Sequence, residues 1–258
     1  MSDPEFLPYH QLHGAKTALH PEVGPCFICE GRFLVEAALG TGREGKLRVF
    51  SLLCLEGLAS EFAPHLPEGT RLLTASKAEL SELVGFAFHR GVLCCAAIPA
   101  EPEASVILGA RRLVVLPHVD NVENLGLILR SAAALGMDAV VAGRGPSPFE
   151  RRSLRVSMGA AWTLPVIQRE DPGPLLEAWR AGAPGSEIVG AALGPAASDA
   201  RLWQPAQRTA LVLGPEAYGL DEAWLQRCDR TISIPMAKGM DSLNVAAAGA
   251  ILMFKMMA

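Results

Sequence analysis

Surplus charge is scarce in this chain. Its 258 residues carry a formal net charge of −4 and a pI of about 5.9, so no global attraction to nucleic acid or anionic lipid is encoded, and any RNA contact has to come from local patches. Long apolar runs are also missing: none reaches the ~18 residues that a membrane span needs. Cysteine is sparse. Six thiols are too few for a disulfide scaffold in a chain of this size, and most lie inside apolar runs where a thiol acts as a small hydrophobe. The opening Met1-Ser-Asp-Pro-Glu-Phe6 has neither the basic nor the apolar segment of a secretory signal. An unexported protein in a reducing cytoplasm is expected.

Familiar ligand motifs are absent as well. There is no Gly-x-Gly-x-x-Gly after a strand and no Gly-x-x-x-x-Gly-Lys-Ser/Thr, so dinucleotide and triphosphate folds lose their main support, and with them a nicotinamide oxidoreductase. None of the six histidines stands in a metal-ligand spacing, and His118 reads as a loop residue. Cys26-x-x-Cys29 has no second pair and lies in an apolar run, so it reads as structural, and no metal site is expected. No repeat or low-complexity tract appears.

What is present is a folded chain, 50% hydrophobic and 19% charged. Two prolines and two acids at 98–105 read as a linker. They divide a domain at 1–100 from one at 106–258. In the first, strands are expected at 26–29, 47–53, 70–73 and 92–98, with helices at 31–39 and 77–84. In the second, near-continuous apolar runs at 113–116, 139–142, 163–167, 188–192, 210–213 and 231–234 predict a mostly parallel sheet with helices on both faces. Ser147-Pro-Phe-Glu150 has the form of a capping box opening a helix.

Three segments of the second domain carry chemistry. Asn124-Leu-Gly-Leu-Ile-Leu-Arg130 follows the first strand, with Asn124 placed to cap a helix and Arg130 less than two turns further on. Leu213-Gly-Pro-Glu-Ala-Tyr-Gly-Leu220 follows a buried strand and brackets Glu216 between Gly214 and Gly219, so its backbone can approach a ligand. Ile234-Pro-Met236 ends a strand and leads to Ser242-Leu-Asn-Val245, where Ser242 reads as the cap of the last helix and Asn244 as part of its first turn. Taken singly, each has an ordinary explanation as a cap, a turn or a surface charge. Arg144, Arg151, Arg152 and Arg155 cluster around the helix expected after the second strand. They read equally as phosphate contacts or as a solvated face.

Taken together, in this order and at these spacings, the three segments resemble the SpoU/TrmH class of the SPOUT methyltransferases, from about Leu113 to the C-terminus. Ser157-Met-Gly-Ala160 looks like the family's Ser-x-Gly-Ala. The N-terminal domain, through Phe27-Ile-Cys-Glu-Gly31 and Val84-Gly-Phe-Ala-Phe-His-Arg-Gly91, is similar to the ribosomal-protein-like α/β module that recognises RNA in these enzymes. The resemblance implies a trefoil-knotted α/β fold and transfer of a methyl group from S-adenosyl-L-methionine to a ribose 2′-hydroxyl of tRNA or rRNA. It also implies a homodimer with no membrane partner. Arg130, Asn124, Glu216, Ser242 and Asn244 are the catalytic residues it implies. The cofactor residues are Leu213, Gly214, Glu216, Gly219, Ile234, Met236, Ser242, Leu243 and Asn244. Val122, Glu123, Pro215 and Ala217 depart from the family pattern. A catalytically silent RNA-binding relative of the same fold is the alternative.

Overall fold

The computed structural model describes residues 4–12, 18–194, 196–240 and 242–257. Two compact units emerge, one formed by Met1–Ala100 with Phe149–Trp162, the other by Glu101–Pro148 with Thr163–Ala258. The stretch at 149–162 therefore packs with the first unit although it lies within the second sequence segment.

The first unit holds strands β1 (Ala18–His20), β2 (Gly24–Glu30), β3 (Val49–Leu55), β4 (Arg71–Ala75) and β5 (Val92–Ala97), and helices α1 (Arg32–Arg43), α2 (Ala59–Phe62) and α3 (Lys77–Val84). Its sheet runs β1-β2-β5-β3-β4, antiparallel except for the parallel pair β3/β4. The short edge strand β1 has no apolar run in the sequence to announce it. Tyr9 is fully buried, and its hydroxyl donates to the Ser51 carbonyl at 2.9 Å. Cys26 and Cys95 face each other at 3.5 Å between Sγ atoms, deep in the same core. The capping box lies at α3, where Ser76 and Glu79 satisfy each other's backbone N–H groups.

In the second unit, α4 (Ala104–Gly109) leads into β6 (Arg112–His118), α5 (Val122–Ala134) and β7 (Ala139–Arg144). The chain then passes through α6 (Arg151–Ser157) and most of α7 (Ala160–Thr163) in the first unit and returns for β8 (Val166–Gln168), α8 (Gly173–Ala181), β9 (Ser186–Ala191), β10 (Ser198–Asp199) and β11 (Arg208–Leu213). The chain ends with α9 (Glu222–Arg227), β12 (Arg230–Ser233) and α10 (Val245–Lys255). The sheet order is β10-β12-β9-β11-β6-β7-β8, with every pairing parallel. Leu113, Val115, Ala139, Val141, Ala210 and Val212 share one core with Trp179 and Leu176 of α8 and Ile107 of α4. Residues of the opposite parity face the other way. There Leu213 meets Gly249 of α10, where an added Cβ would lie 2.8 Å from its methyl carbon.

Three expectations about helix starts need correction. Asn121, not Asn124, caps α5, its Oδ1 accepting from Glu123 N at 2.8 Å. Ser147 begins no helix, since α6 starts at Arg151 with Glu150 as its N-cap residue. Asn244, not Ser242, caps α10. His118 also closes β6 instead of lying in a loop.

Burial holds the Tyr9 hydroxyl well above its ordinary pKa, raises the Cys54 thiol, and pushes Cys228 up to about 11. In the unfolded chain these groups ionise at their ordinary values, so between about pH 9 and 11 the unfolded state releases protons that the folded state keeps. Their contribution to stability is complete below pH ~8.5 and is lost as pH rises through that window. Thermal melting followed by circular dichroism is expected to show Tm falling steadily from pH 9 to 11, with a shallower fall in Cys228→Ala.

Candidate active site

The carboxyl ends of β9, β11 and β12 converge on one edge of the parallel sheet, the place where an open α/β sheet offers a ligand crevice. A cavity of about 420 Å³ opens there, a volume in the range of small-molecule pockets. Its walls come from Ala191 at the end of β9 and Leu193 beyond it, the loop after β11, Ile232 to Met236 around the end of β12, Ser242 and Leu243 before α10, and Val245, Ala248 and Leu252 within it.

The loop after β11 is shaped by its glycines. At Gly214 an added Cβ would stand 2.5 Å from the Gly219 carbonyl carbon and 2.6 Å from Leu220 N, so the loop folds back on its own backbone. Gly219, at φ 68°, donates its N–H to the Pro215 carbonyl at 2.9 Å and closes the turn. The result is a main-chain wall on which Glu216 and Tyr218 are exposed. Asp221 then caps α9 by accepting from Trp224 N at 2.9 Å.

On the facing side, the Asn244 amide does three things. Its Oδ1 accepts from Ala246 N at 2.9 Å and Ala247 N at 3.3 Å, capping α10, and its Nδ2 donates to Asn124 Oδ1 at 3.0 Å. Asn124 sits in the first turn of α5, only 4% exposed. This bond joins two helices whose asparagines are 120 residues apart in sequence.

Of the residues expected at the site, Leu213, Gly214, Glu216, Gly219, Ile234, Met236, Ser242 and Leu243 line the cavity. Asn244 does not line it but ties its α10 wall to α5. Arg130 lies six residues beyond Asn124 on α5, on the exposed side of the helix. Among the described residues no hydrogen bond or ion pair engages its guanidinium, and it lines neither this cavity nor the neighbouring one.

That neighbouring cavity, about 310 Å³, lies behind the same loop and includes Pro117, His118, Arg144, Pro215 and Trp224. His118 Nε2 and Asp120 Oδ1 are 2.6 Å apart there. Gly143 and Gly145 let β7 and its exit pass against the backbone of Pro117 and Val119, where a side chain at either position would collide with a carbonyl. The sequence reading passed over these residues, although Gly143-x-Gly145 directly after an apolar strand was a signal of close backbone approach. Arg144 faces Glu170 at 3.8 Å, and Arg151 is mostly enclosed by the first unit, so the arginines at 144–155 do not act as one solvated face.

The parallel α/β sheet, with its backbone-lined cavity at the carboxyl edge completed by the last helix, matches the fold of solved SpoU methyltransferases. The chain belongs to the SpoU rRNA Methylase family, whose profile matches residues 111–254. A tRNA/rRNA methyltransferase of Mycobacterium tuberculosis, itself called uncharacterized, is 38% identical over 195 residues, covering 72% of this chain and 66% of that protein. The 23S rRNA (guanosine(2553)-2′-O)-methyltransferase RlmP of Bacillus subtilis is 30% identical over 88% of this chain and 87% of its own. The SpoU methyltransferase AviRb from Streptomyces viridochromogenes, solved in complex with AdoMet, superimposes with a TM-score of 0.74 at 26% identity, covering 90% of this chain and 89% of that one.

The asparagine pair makes a quantitative prediction. Asn244→Ala removes a helix cap, worth ~1 kcal/mol, and leaves the buried Asn124 amide oxygen without its partner, a further ~1–2 kcal/mol. In a urea-unfolding double-mutant cycle, Asn124→Ala and Asn244→Ala are expected to be non-additive by ~1 kcal/mol. Simple additivity would show that the amide bond contributes nothing.

Proposed function

We propose that the protein transfers the methyl group of S-adenosyl-L-methionine to a ribose 2′-hydroxyl of ribosomal or transfer RNA. The observation that carries this reading is the cavity at the carboxyl edge of the sheet, walled by the folded-back loop after β11 and by the segment entering α10. Its fit to the cofactor rests on its lining. Apolar side chains such as Leu213, Ile232 and Leu252 suit an adenine ring, while main-chain groups around Gly214 and the polar Glu216 and Ser242 suit the ribose and amino-acid ends. When bound, the cofactor supplies an electrophilic sulfonium methyl.

The chain's own residues divide the remaining work. Residues 213–220 and 234–243 hold and orient the donor, and such alignment lowers the barrier by several kcal/mol. Arg130 offers a guanidinium, a planar cation that is a poor base. It therefore acts electrostatically, by stabilising the ribose oxygen as it loses its proton or by gripping the adjoining phosphate. Asn124 and Asn244 spend their amides on each other, so they serve as positioning residues that fix α5, and Arg130 with it, against α10. The Glu216 carboxylate faces the incoming ribose, and Ser242 supports the cofactor loop. The first unit takes the part of RNA recognition.

A homodimer through α5 and α10 belongs to this proposal. The two helices pack on each other, and each leaves an apolar stripe in solvent: Leu127 (39% exposed) beside Arg130 on α5, and Ile251 (46%) and Phe254 (66%) on α10. A helix that is apolar on both its buried and its solvent side is one that another surface covers. A second copy seated there places Arg130 at the interface. Free thiols and an RNA substrate suit a reducing cytoplasm. Among the described residues no helix is long and apolar enough to cross a membrane.

Calorimetric titration is expected to show micromolar binding of S-adenosylmethionine and none of a nicotinamide dinucleotide. Arg130→Ala is expected to keep that binding and normal rRNA binding while radiolabelled methyl transfer into rRNA falls by ~100-fold or more. Full transfer by this variant would remove Arg130 from the mechanism, and wild-type protein that binds RNA without cofactor would be the silent relative. Light scattering should report a dimer for the wild type and a monomer for Ile251→Asp/Phe254→Asp. A wild-type monomer would end the dimer proposal.

A further inference from the structure

Glu30 is the last residue of β2 and is 9% exposed, yet its carboxylate is shared by three guanidinium groups. Arg151 Nη2 lies 2.5 Å from it, Arg90 Nε 3.5 Å and Arg155 Nη1 3.6 Å. One buried negative charge therefore faces three positive ones. Glu150 and Arg152 flank Arg151 in sequence, with one charge of each sign.

The three arginines are not equivalent. Arg151 is committed to the fold: its Nη1 donates to the Leu12 carbonyl at 2.7 Å, its guanidinium lies 5.1 Å from the centre of the Phe86 ring, and its side chain is 19% exposed. Arg90 and Arg155 stay 49% and 41% exposed, held by Glu30 with most of their donors turned to solvent.

A second source of positive potential stands beside them. Helix α1 begins directly after Glu30, its N-cap residue Gly31 offers no side chain, and its first turn contains no acid. Arg90 lies against this terminus, since a Cβ on Gly31 would be 3.2 Å from Arg90 Nη1. Helix N-termini favour anions, and an arginine beside one adds to its positive potential. Phe33, in the same first turn, is 76% exposed.

We propose that Arg90 and Arg155, oriented by Glu30 beside the N-terminus of α1, form a phosphodiester-binding site for substrate RNA, with Phe33 as a stacking surface for an adjoining base. The inference rests on the RNA reading above and adds the residues by which the first unit grips the strand. Guanidinium forks match phosphate oxygens, and an exposed aromatic beside them suits an unpaired nucleotide. The site also accounts for two motifs otherwise unused, Phe27 to Gly31 and Val84 to Gly91, which meet through the Glu30–Arg90 pair and the Gly31 N–H donated to the Val92 carbonyl at 3.1 Å.

The test is filter binding of purified 23S rRNA to the full chain across a potassium chloride series. Arg90→Ala/Arg155→Ala is expected to weaken binding several-fold and to flatten the slope of log K against log salt by ~1.5, as two phosphate contacts require. Arg90→Lys/Arg155→Lys should restore most of the slope, and Phe33→Ala should weaken binding with the slope unchanged. Far-UV circular dichroism and thermal melting should match the wild type for all variants, which shows that the first unit is folded, and calorimetric titration of S-adenosylmethionine should be the same for all of them. An unchanged slope in the double alanine variant with intact cofactor binding would overturn this site while leaving the methyltransferase reading in place. Tight binding of inorganic phosphate at these arginines, again with an unchanged RNA slope, would make it a free-anion site and overturn the RNA assignment. Loss of slope in a protein whose wild type binds no cofactor would support the site and sink the methyltransferase reading instead.

Discussion

The hydrogen bond between Asn244 and Asn124 is the interaction on which the geometry of the site depends. One amide caps α10 and reaches a second amide buried in the first turn of α5, so the start of the last helix is fixed relative to the helix that follows the first strand of the sheet. A wall of the cavity is the segment that runs into α10. Without a fixed start to that helix, residues 242–245 would have no defined position facing the loop after β11. Buried amides enforce such a register because any slip leaves a donor or acceptor unpaired at a cost of ~1–3 kcal/mol.

The same bond explains which parts of the site were legible in the sequence. Most strands of the parallel sheet were visible as apolar runs because both of their faces are covered; the run expected at 163–167 becomes strand only from Val166, since Thr163 closes α7, and the two-residue edge strand β10 had no such run. The loop after β11 was visible through Gly214 and Gly219, which a side chain would disrupt by collision or by strain. The helix starts were not. Asn121 and Asn124 both lie near the start of α5, and local sequence cannot say which one turns outward to cap and which turns inward to pair. Ser242 and Asn244 pose the same problem at α10. In both helices tertiary contact decided: the asparagine that reaches the other helix is the one the fold uses. At 147–150 the sequence pattern of a capping box was present, but the helix starts at Arg151 and its N-cap residue, with extended backbone, is Glu150.

Charge shows a similar separation between total and local. The acidic net charge says nothing about a small region where Glu30 collects Arg90, Arg151 and Arg155 from three different segments. Sequence proximity had grouped Arg151 and Arg155 with Arg144, but the fold sorts them by partner. Arg151 is enclosed by Leu12 and Phe86, Arg155 remains open, and Arg90, remote in sequence, joins them.

The departures from the family pattern can be judged by backbone geometry. Among the described residues, only Gln11 and Met158 combine a side chain with positive φ, so the backbone at Ala217 needs no glycine and its methyl group adds no strain. Pro215 contributes a carbonyl, which accepts from Gly219 N, and gives up an N–H. Its fixed φ narrows the conformations open to the loop before a ligand arrives, and that lowers the ordering cost of binding. Glu123 falls in the first turn of α5, where an acid complements the helix dipole, and Val122 is the first helical residue after the Asn121 cap. None of the four substitutions removes a group that the cavity or the asparagine pair uses. The altered positions are therefore compatible with the closed turn after β11 and with the observed start of α5. Arg130, the catalytic residue of the proposed reaction, has an exposed guanidinium with no hydrogen-bond or ion-pair partner among the described residues and so contributes little to the fold.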